Sequence, residues 1–150
     1  MTQTAEDIRM MAAALREARM AFEAGEVPIG AVVALGGRII GRGHNMTEAL
    51  HDVTAHAEMQ AITAATQTLG AKYLRDCTLY VTVEPCLMCA GAIGWSQLGR
   101  VVWGADDPRR GYSSLVSHER PALHPQTRTE RGVLGDECLT LLRSFFSARR

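Results

Sequence analysis

The sequence predicts an α/β domain in which helices cover a sheet. Three observations predict it: a length of 150 residues, a hydrophobic content of 47%, and the order helix, hairpin, helix, strand, helix, strand, helix. A chain of this length typically buries about 68 to 70% of the surface its unfolded form exposes, enough to hold a core without disulfide staples. One domain spanning residues 1–150, with one site, is expected. The 16 basic residues balance 16 acidic ones, so no net field draws the molecule onto nucleic acid or anionic lipid, and any such contact has to be local.

The first helix is read from Ile8, Met11, Leu15, Ala18 and Phe22, spaced three and four apart. Thr4 with Asp7 three residues later makes a box-like start, and Gly25 an end. PIGAVVAL reads as a buried strand and RIIGRGHN as its antiparallel partner, joined by Gly36 and Gly37, which tolerate the positive φ of a tight hairpin. After a loop at residues 46–53, Thr54 is expected to cap a second helix that runs through AHAEMQAITAATQTL and stops at Gly70. CTLYVTV is alternating and β-branched, as a central strand requires. EPCLMCAGAIGWS places Pro85 at the first position of a third helix, and RVVWGA reads as another strand. Residues 106–132, with Pro108, Pro121 and Pro125, read as loop with short helical or strand pieces. GDECLTLLRSFFSARR closes the chain as an amphipathic helix bearing Leu139, Leu142, Phe145 and Phe146.

Cys86 and Cys89 are three apart and share a helix face. Alone, C-x-x-C fits a redox pair, half of a zinc knuckle or two small core residues. His56, opening the second helix, changes the weighing. Two helices that each follow a strand would bring His56, Cys86 and Cys89 together at the carboxyl ends of neighbouring strands. Three ligands without a fourth of comparable signal leave one position for water, the mark of a catalytic zinc site, and one Zn2+ per chain is expected. Cys77 and Cys138 sit in apolar periodic context and read as core, while His51 lies in a loop and suits an ordinary hydrogen bond. Four cysteines are too few for a secreted disulfide scaffold. Neither a secretory opening nor an 18-residue apolar run is present, so a cytoplasmic protein without membrane contact is expected.

Glu58 follows His56 by two, and such positions do not share a helix face, so both address one ion only if it lies beyond the first turn. Glu58 then reaches the water as a proton shuttle; the alternative is a solvated carboxylate favoured by the helix dipole. Zinc lowers the pKa of its water from 15.7 toward about 7. With a carboxylate moving protons, this suits hydrolytic attack on an electron-poor carbon bearing an amine. The H-E-x-x-H pattern of a zinc peptidase is absent.

AHAE followed by EPCLMCAGAI resembles the H-x-E and P-C-x-x-C signature of the cytidine and nucleoside deaminase superfamily. Over nearly its whole length the chain is similar to the bacterial tRNA-specific adenosine deaminase family, through EVPIGAVV, Asn45 of GHN, HDVTAHAE, LYVTVEPCLMCAGAI, RVVWGADD, GVLGDEC and FFSARR. The resemblance implies a three-layer α/β/α cytidine-deaminase-like domain with a central mixed sheet, working as a homodimer without an organic cofactor. It implies conversion of the wobble adenosine of a tRNA anticodon stem-loop to inosine. It also implies that His56, Cys86 and Cys89 hold zinc, that Glu58 shuttles protons, and that Asn45 hydrogen-bonds the target base.

Asp107 of GADD matches a family position near the ribose. A carboxylate beside phosphate is repulsive, and the residue reads equally as the cap of a turn before Pro108. Phe146, Arg149 and Arg150 resemble part of the family's anticodon-reading helix, where aromatic faces stack on splayed bases and Arg meets phosphate; Phe145 reads as core. From Pro108 to Arg150 eight Arg stand against four acidic residues, a local positive excess suited to RNA. The chain departs from the family pattern at Val53, where proline is common, and in RRGYSSL, whose Tyr112 either stacks on a flanking base or covers the core edge. Two other functions would use the same residues. One is a free-purine deaminase of guanine type; the other is a noncatalytic zinc-stabilised RNA-binding module, which expects closed coordination and leaves Glu58 without a role.

Overall fold

A computed structural model describes residues 3–149. Five strands form one mixed sheet in the order β2-β1-β3-β4-β5: β1 (Gly30–Leu35), β2 (Arg38–His44), β3 (Thr78–Val83), β4 (Arg100–Ala105) and β5 (Arg128–Arg131). β1 runs antiparallel to both β2 and β3, while β3, β4 and β5 are parallel. Gly36 and Gly37 take φ of +56° and +78°, the pair of left-handed conformations that a two-residue hairpin turn needs. β5 lies inside the segment expected to be mainly loop.

Helices cover both faces, giving the expected three layers. α1 (Ala5–Glu23) and α4 (Gly135–Ser147) share a core with Val32, Tyr80 and Val102. α2 (Ala57–Leu69) and α3 (Leu87–Ser96) pack on Val33, Leu79, Val81, Val101 and Trp103 of the other face. The alternation along β3 and β4 thus divides the sheet between two cores, as a pleated strand buried on both sides must.

Several local expectations shift. Thr4 caps α1 as read, its hydroxyl accepting from Asp7 N at 3.0 Å. Ile8, however, is exposed, because the buried face of α1 runs through Asp7, Met10, Met11, Ala14 and Ala18. Asp7 is tolerated there because Arg100 donates to both its oxygens at 2.8 Å and Tyr80 Oη donates to Oδ1 at 2.8 Å. Arg100 also meets Glu130 of β5, so one guanidinium ties α1, β4 and β5 together. The α2 cap is His56, not Thr54, whose amide and hydroxyl both donate to Asp52 Oδ1. Likewise α3 is capped by Cys86, so Pro85 stands outside it, one position before the cap.

Gly41 and Gly43 set the depth at which α2 lies on the sheet. A Cβ at either would come within 2.4 and 2.5 Å of the carbonyl oxygens of Ala61 and Ala57 respectively. Their bare backbone lets the start of α2 press against β2. Among the described residues no helix is long and apolar enough to cross a membrane.

Candidate metal centre

The starts of α2 and α3 meet at one end of the sheet. β2 leads through a loop to His56 and β3 leads directly to Cys86, so both helices begin at carboxyl ends of strands that run in the same direction. Those two strands are not neighbours, as had been expected: β1 lies between them. His56 and Cys86 are the N-cap residues, and neither side chain makes the usual capping bond. Both side chains are therefore free to turn toward each other. His56 Nδ1 is 3.6 Å from Cys86 Sγ and 3.5 Å from Cys89 Sγ. All three donor atoms lie within 4.8 Å of one another.

These spacings fit zinc. Zn–N and Zn–S bonds of usual length at a tetrahedral angle place nitrogen and sulfur about 3.6 Å apart. The donor set, one imidazole and two thiols at the positive ends of two helices, is also chemically suited to it. Hydrogen bonds from Cys89 and His56 hold the Cys86 thiol well below its ordinary range, while the thiolate neighbour and burial push Cys89 up.

Glu58, the second residue of α2, is 3% exposed. Burial pushes its carboxyl up to about 7, opposed chiefly by a bond from its own backbone N–H. His56 is the extended N-cap residue, outside the helix proper, and Cys86, His56 and Cys89 all act on the Glu58 carboxyl, which therefore lies beside the cluster.

Asn45 is buried just past β2, its Oδ1 accepting from Thr47 N at 3.3 Å. Asp107 is held by a turn: its Oδ1 accepts from Arg109 N at 3.1 Å and Arg110 N at 3.0 Å. The capping alternative is therefore realised with one carboxylate oxygen. Phe145 is core, stacked edge-on against Phe22, and Phe146 is half exposed beside it. Arg149 lies 4.0 Å over the Phe145 ring and donates to Gly25 O at 3.0 Å, binding the end of α4 to the end of α1. Arg150, assigned with it at the sequence level, lies outside the described residues. Tyr112 is buried edge-on to Trp103, which decides for the core edge. Cys77 and Cys138 are buried in the two cores.

Two carboxylates that escaped the sequence reading shape the rim. Glu84, just before Pro85, accepts from the amides of Asp107 and Ser113 at 3.1 Å each and from the Ser113 hydroxyl at 2.5 Å. Glu26 accepts from Glu48 N at 3.0 Å and Ala49 N at 2.8 Å. Each pins a loop that flanks the cluster. The E-P-C triplet was the available signal for Glu84, and the opening of EVPIGAVV was that for Glu26.

The MafB19-like deaminase family model matches residues 5–140. A tRNA-specific adenosine deaminase from Agrobacterium fabrum is 44% identical over 148 residues, 97% of each chain. The chain belongs to the tRNA-specific adenosine deaminase family of the cytidine and nucleoside deaminase superfamily. A solved structure from work on A-to-I editing by tRNA:A34 deaminases at the wobble position is 42% identical and superposes with a TM-score of 0.82, covering 89% of this chain and 98% of that one. Guanine deaminase from Nitrosomonas europaea is 25% identical with a TM-score of 0.77, over 96% of this chain and 85% of its own. Within this deaminase fold the candidate metal-ligand cluster lies at the carboxyl ends of β2 and β3, where α2 and α3 begin.

Proposed function

We propose that the protein hydrolytically deaminates adenosine to inosine at the wobble position of a tRNA anticodon. The observation that carries this reading is the His56, Cys86 and Cys89 cluster with Glu58 buried beside it. It is supported by 44% identity, over 97% of both chains, to a tRNA-specific adenosine deaminase. His56, Cys86 and Cys89 hold one zinc ion per chain. When bound with a position left for water, zinc supplies a water whose pKa is lowered from 15.7 toward about 7.

Glu58 moves the protons. A carboxyl that titrates near neutrality takes a proton and returns it at similar cost, first to the ring nitrogen and then to the departing ammonia. Asn45 holds the base edge: its Oδ1 is fixed by Thr47, which directs its Nδ2 donors elsewhere. The second oxygen of Asp107 meets a ribose hydroxyl. Phe146 stacks on a loop base; Arg149 meets phosphate with the guanidinium nitrogens it does not spend on Gly25 O, and the same role is assigned to Arg150, which lies outside the described residues. An unpaired loop avoids most of the few kcal/mol that extruding a base from a duplex costs. The whole of residues 1–150 forms this one domain, working as a cytoplasmic homodimer.

Free guanine is the second reading, favoured by the likeness to the Nitrosomonas enzyme. Inosine mapping of total host tRNA after incubation with the purified protein, with free guanine, adenosine and cytidine in parallel, tests both. Inosine at an anticodon wobble position is expected. Unmodified tRNA together with efficient guanine turnover would replace the tRNA reading with the purine one.

A further inference from the structure

The opposite end of the sheet carries a second polar site. β3 and β4 have six residues each, so the starts of these strands lie about 20 Å from the metal-ligand end. A recess of about 200 Å³ opens there, lined by Arg75, Gln97, His124, Gln126 and Arg128 around Gly99. Gly99 makes the convergence possible. Its carbonyl accepts from Arg128 N at 3.0 Å, and a Cβ on it would fall 2.2 Å from the Arg75 carbonyl oxygen. Only a glycine lets the two arginine-bearing segments close on one point.

The lining presents donors. Arg75 Nε donates to Gln97 Oε1 at 2.6 Å, and its guanidinium lies 5.0 Å from the centre of the Tyr73 ring. The plane is thereby fixed with both terminal nitrogens unspent, and the Gln97 amide is turned with its NH2 free. Gln97 is held at φ +55°, a conformation that a non-glycine residue rarely adopts. His124 Nδ1 accepts from Gln126 N at 3.1 Å, so Nε2 carries the proton and becomes a donor. Neither Arg75 nor Arg128 pairs with a carboxylate among the described residues, and no Asp or Glu lines the recess.

Two unpaired guanidiniums, an imidazole N–H and amide donors, without a competing acid, are complementary to a tetrahedral oxyanion. We propose that this recess is a binding site for one phosphate group. The phosphate comes either from an RNA phosphodiester, far from the reacting base, or from free phosphate or a nucleotide. The RNA source rests on the function proposed above; the phosphate site does not.

The test is calorimetric titration of inorganic phosphate, in chloride buffer, into the zinc-loaded full chain and into the double variant Arg75→Gln, Arg128→Gln. Both side chains are exposed, so the variant should melt as the parent does. Saturable binding at one phosphate per chain is expected, roughly tenfold weaker for each guanidinium lost. The His124 ring proton resonances should move with the same saturation. No saturable binding by the parent, or equal affinity in the variant, overturns the proposal.

A second arm compares intact host tRNA with an anticodon stem-loop. Loss of affinity for tRNA alone assigns the phosphate to RNA beyond the anticodon arm; unchanged affinity for both assigns it to a free phosphate or nucleotide. Inosine formation on the stem-loop is read separately, so failure of the deaminase reading and failure of the phosphate site are distinguishable.

Discussion

Glu58 stands at the second position of α2, where a carboxylate would normally be solvated and assisted by the helix dipole. Here it is removed from water, and its pKa near 7 follows from that burial. Glu58→Gln should therefore keep about one zinc per chain while lowering the single-turnover rate by about 10²- to 10⁴-fold. Elemental analysis alongside rapid-quench kinetics on one preparation checks this; a zinc-loaded variant with near-parental turnover would remove Glu58 from the reaction. The ligands and Glu58 were legible in the sequence because H-x-E and C-x-x-C compress the donors into short windows. Glu84 was not legible as a loop anchor, because it accepts from amides 23 and 29 residues away, and no local spacing encodes that.

At the scale of elements, the helices and four of the strands could be read because their periodicity is strong. β5 could not: RTER has no apolar alternation, and it is a strand only because the edge of β4 offers it hydrogen bonds. The caps were displaced because sequence rules favour Thr54 and Pro85, whereas the two helices begin at residues whose side chains are committed to each other. α1 shows a further tertiary override, burying Asp7 against Arg100. That guanidinium holds the Asp7 carboxyl well below the usual carboxylate range. The folded chain therefore binds fewer protons at Asp7 than the unfolded chain does. The pair's contribution is complete above about pH 4, near the unfolded value, and is lost as pH falls toward the folded one. Arg100→Met should destabilise by about 3 to 5 kcal/mol at pH 7, since it leaves Asp7 and Glu130 buried without their cation. Its stability deficit should shrink on acidification, as denaturant melts from pH 7 to pH 3 would reveal. A constant deficit would mean that the pair acts by packing alone.

Across the whole molecule, the three layers were legible from element order, but the separation of β2 from β3 by β1 was not, since pairing partners are chosen in space. The outward side of α3 is apolar and, among the described residues, without a covering layer: Trp95 is 85% exposed, and Leu87 and Met88 accompany it. Ala90, on the same helix, is fully buried and belongs to the core instead. In the proposed homodimer this face is covered. Light scattering at micromolar concentration should give twice the chain mass, and Trp95→Asp should shift the population toward monomer; a fully active monomer would dismiss the assembly. The meeting of two helix starts at one junction has a kinetic consequence. In each helix the opening residue is also one of the proposed metal donors, so the first turns of α2 and α3 have no independent lock. Stripping the metal with a chelator should speed amide hydrogen exchange at Gln60 and Ala90, whose N–H groups bond to the carbonyls of His56 and Cys86. The two sites should accelerate together, while the amides of the β3–β4 ladder keep their original exchange times.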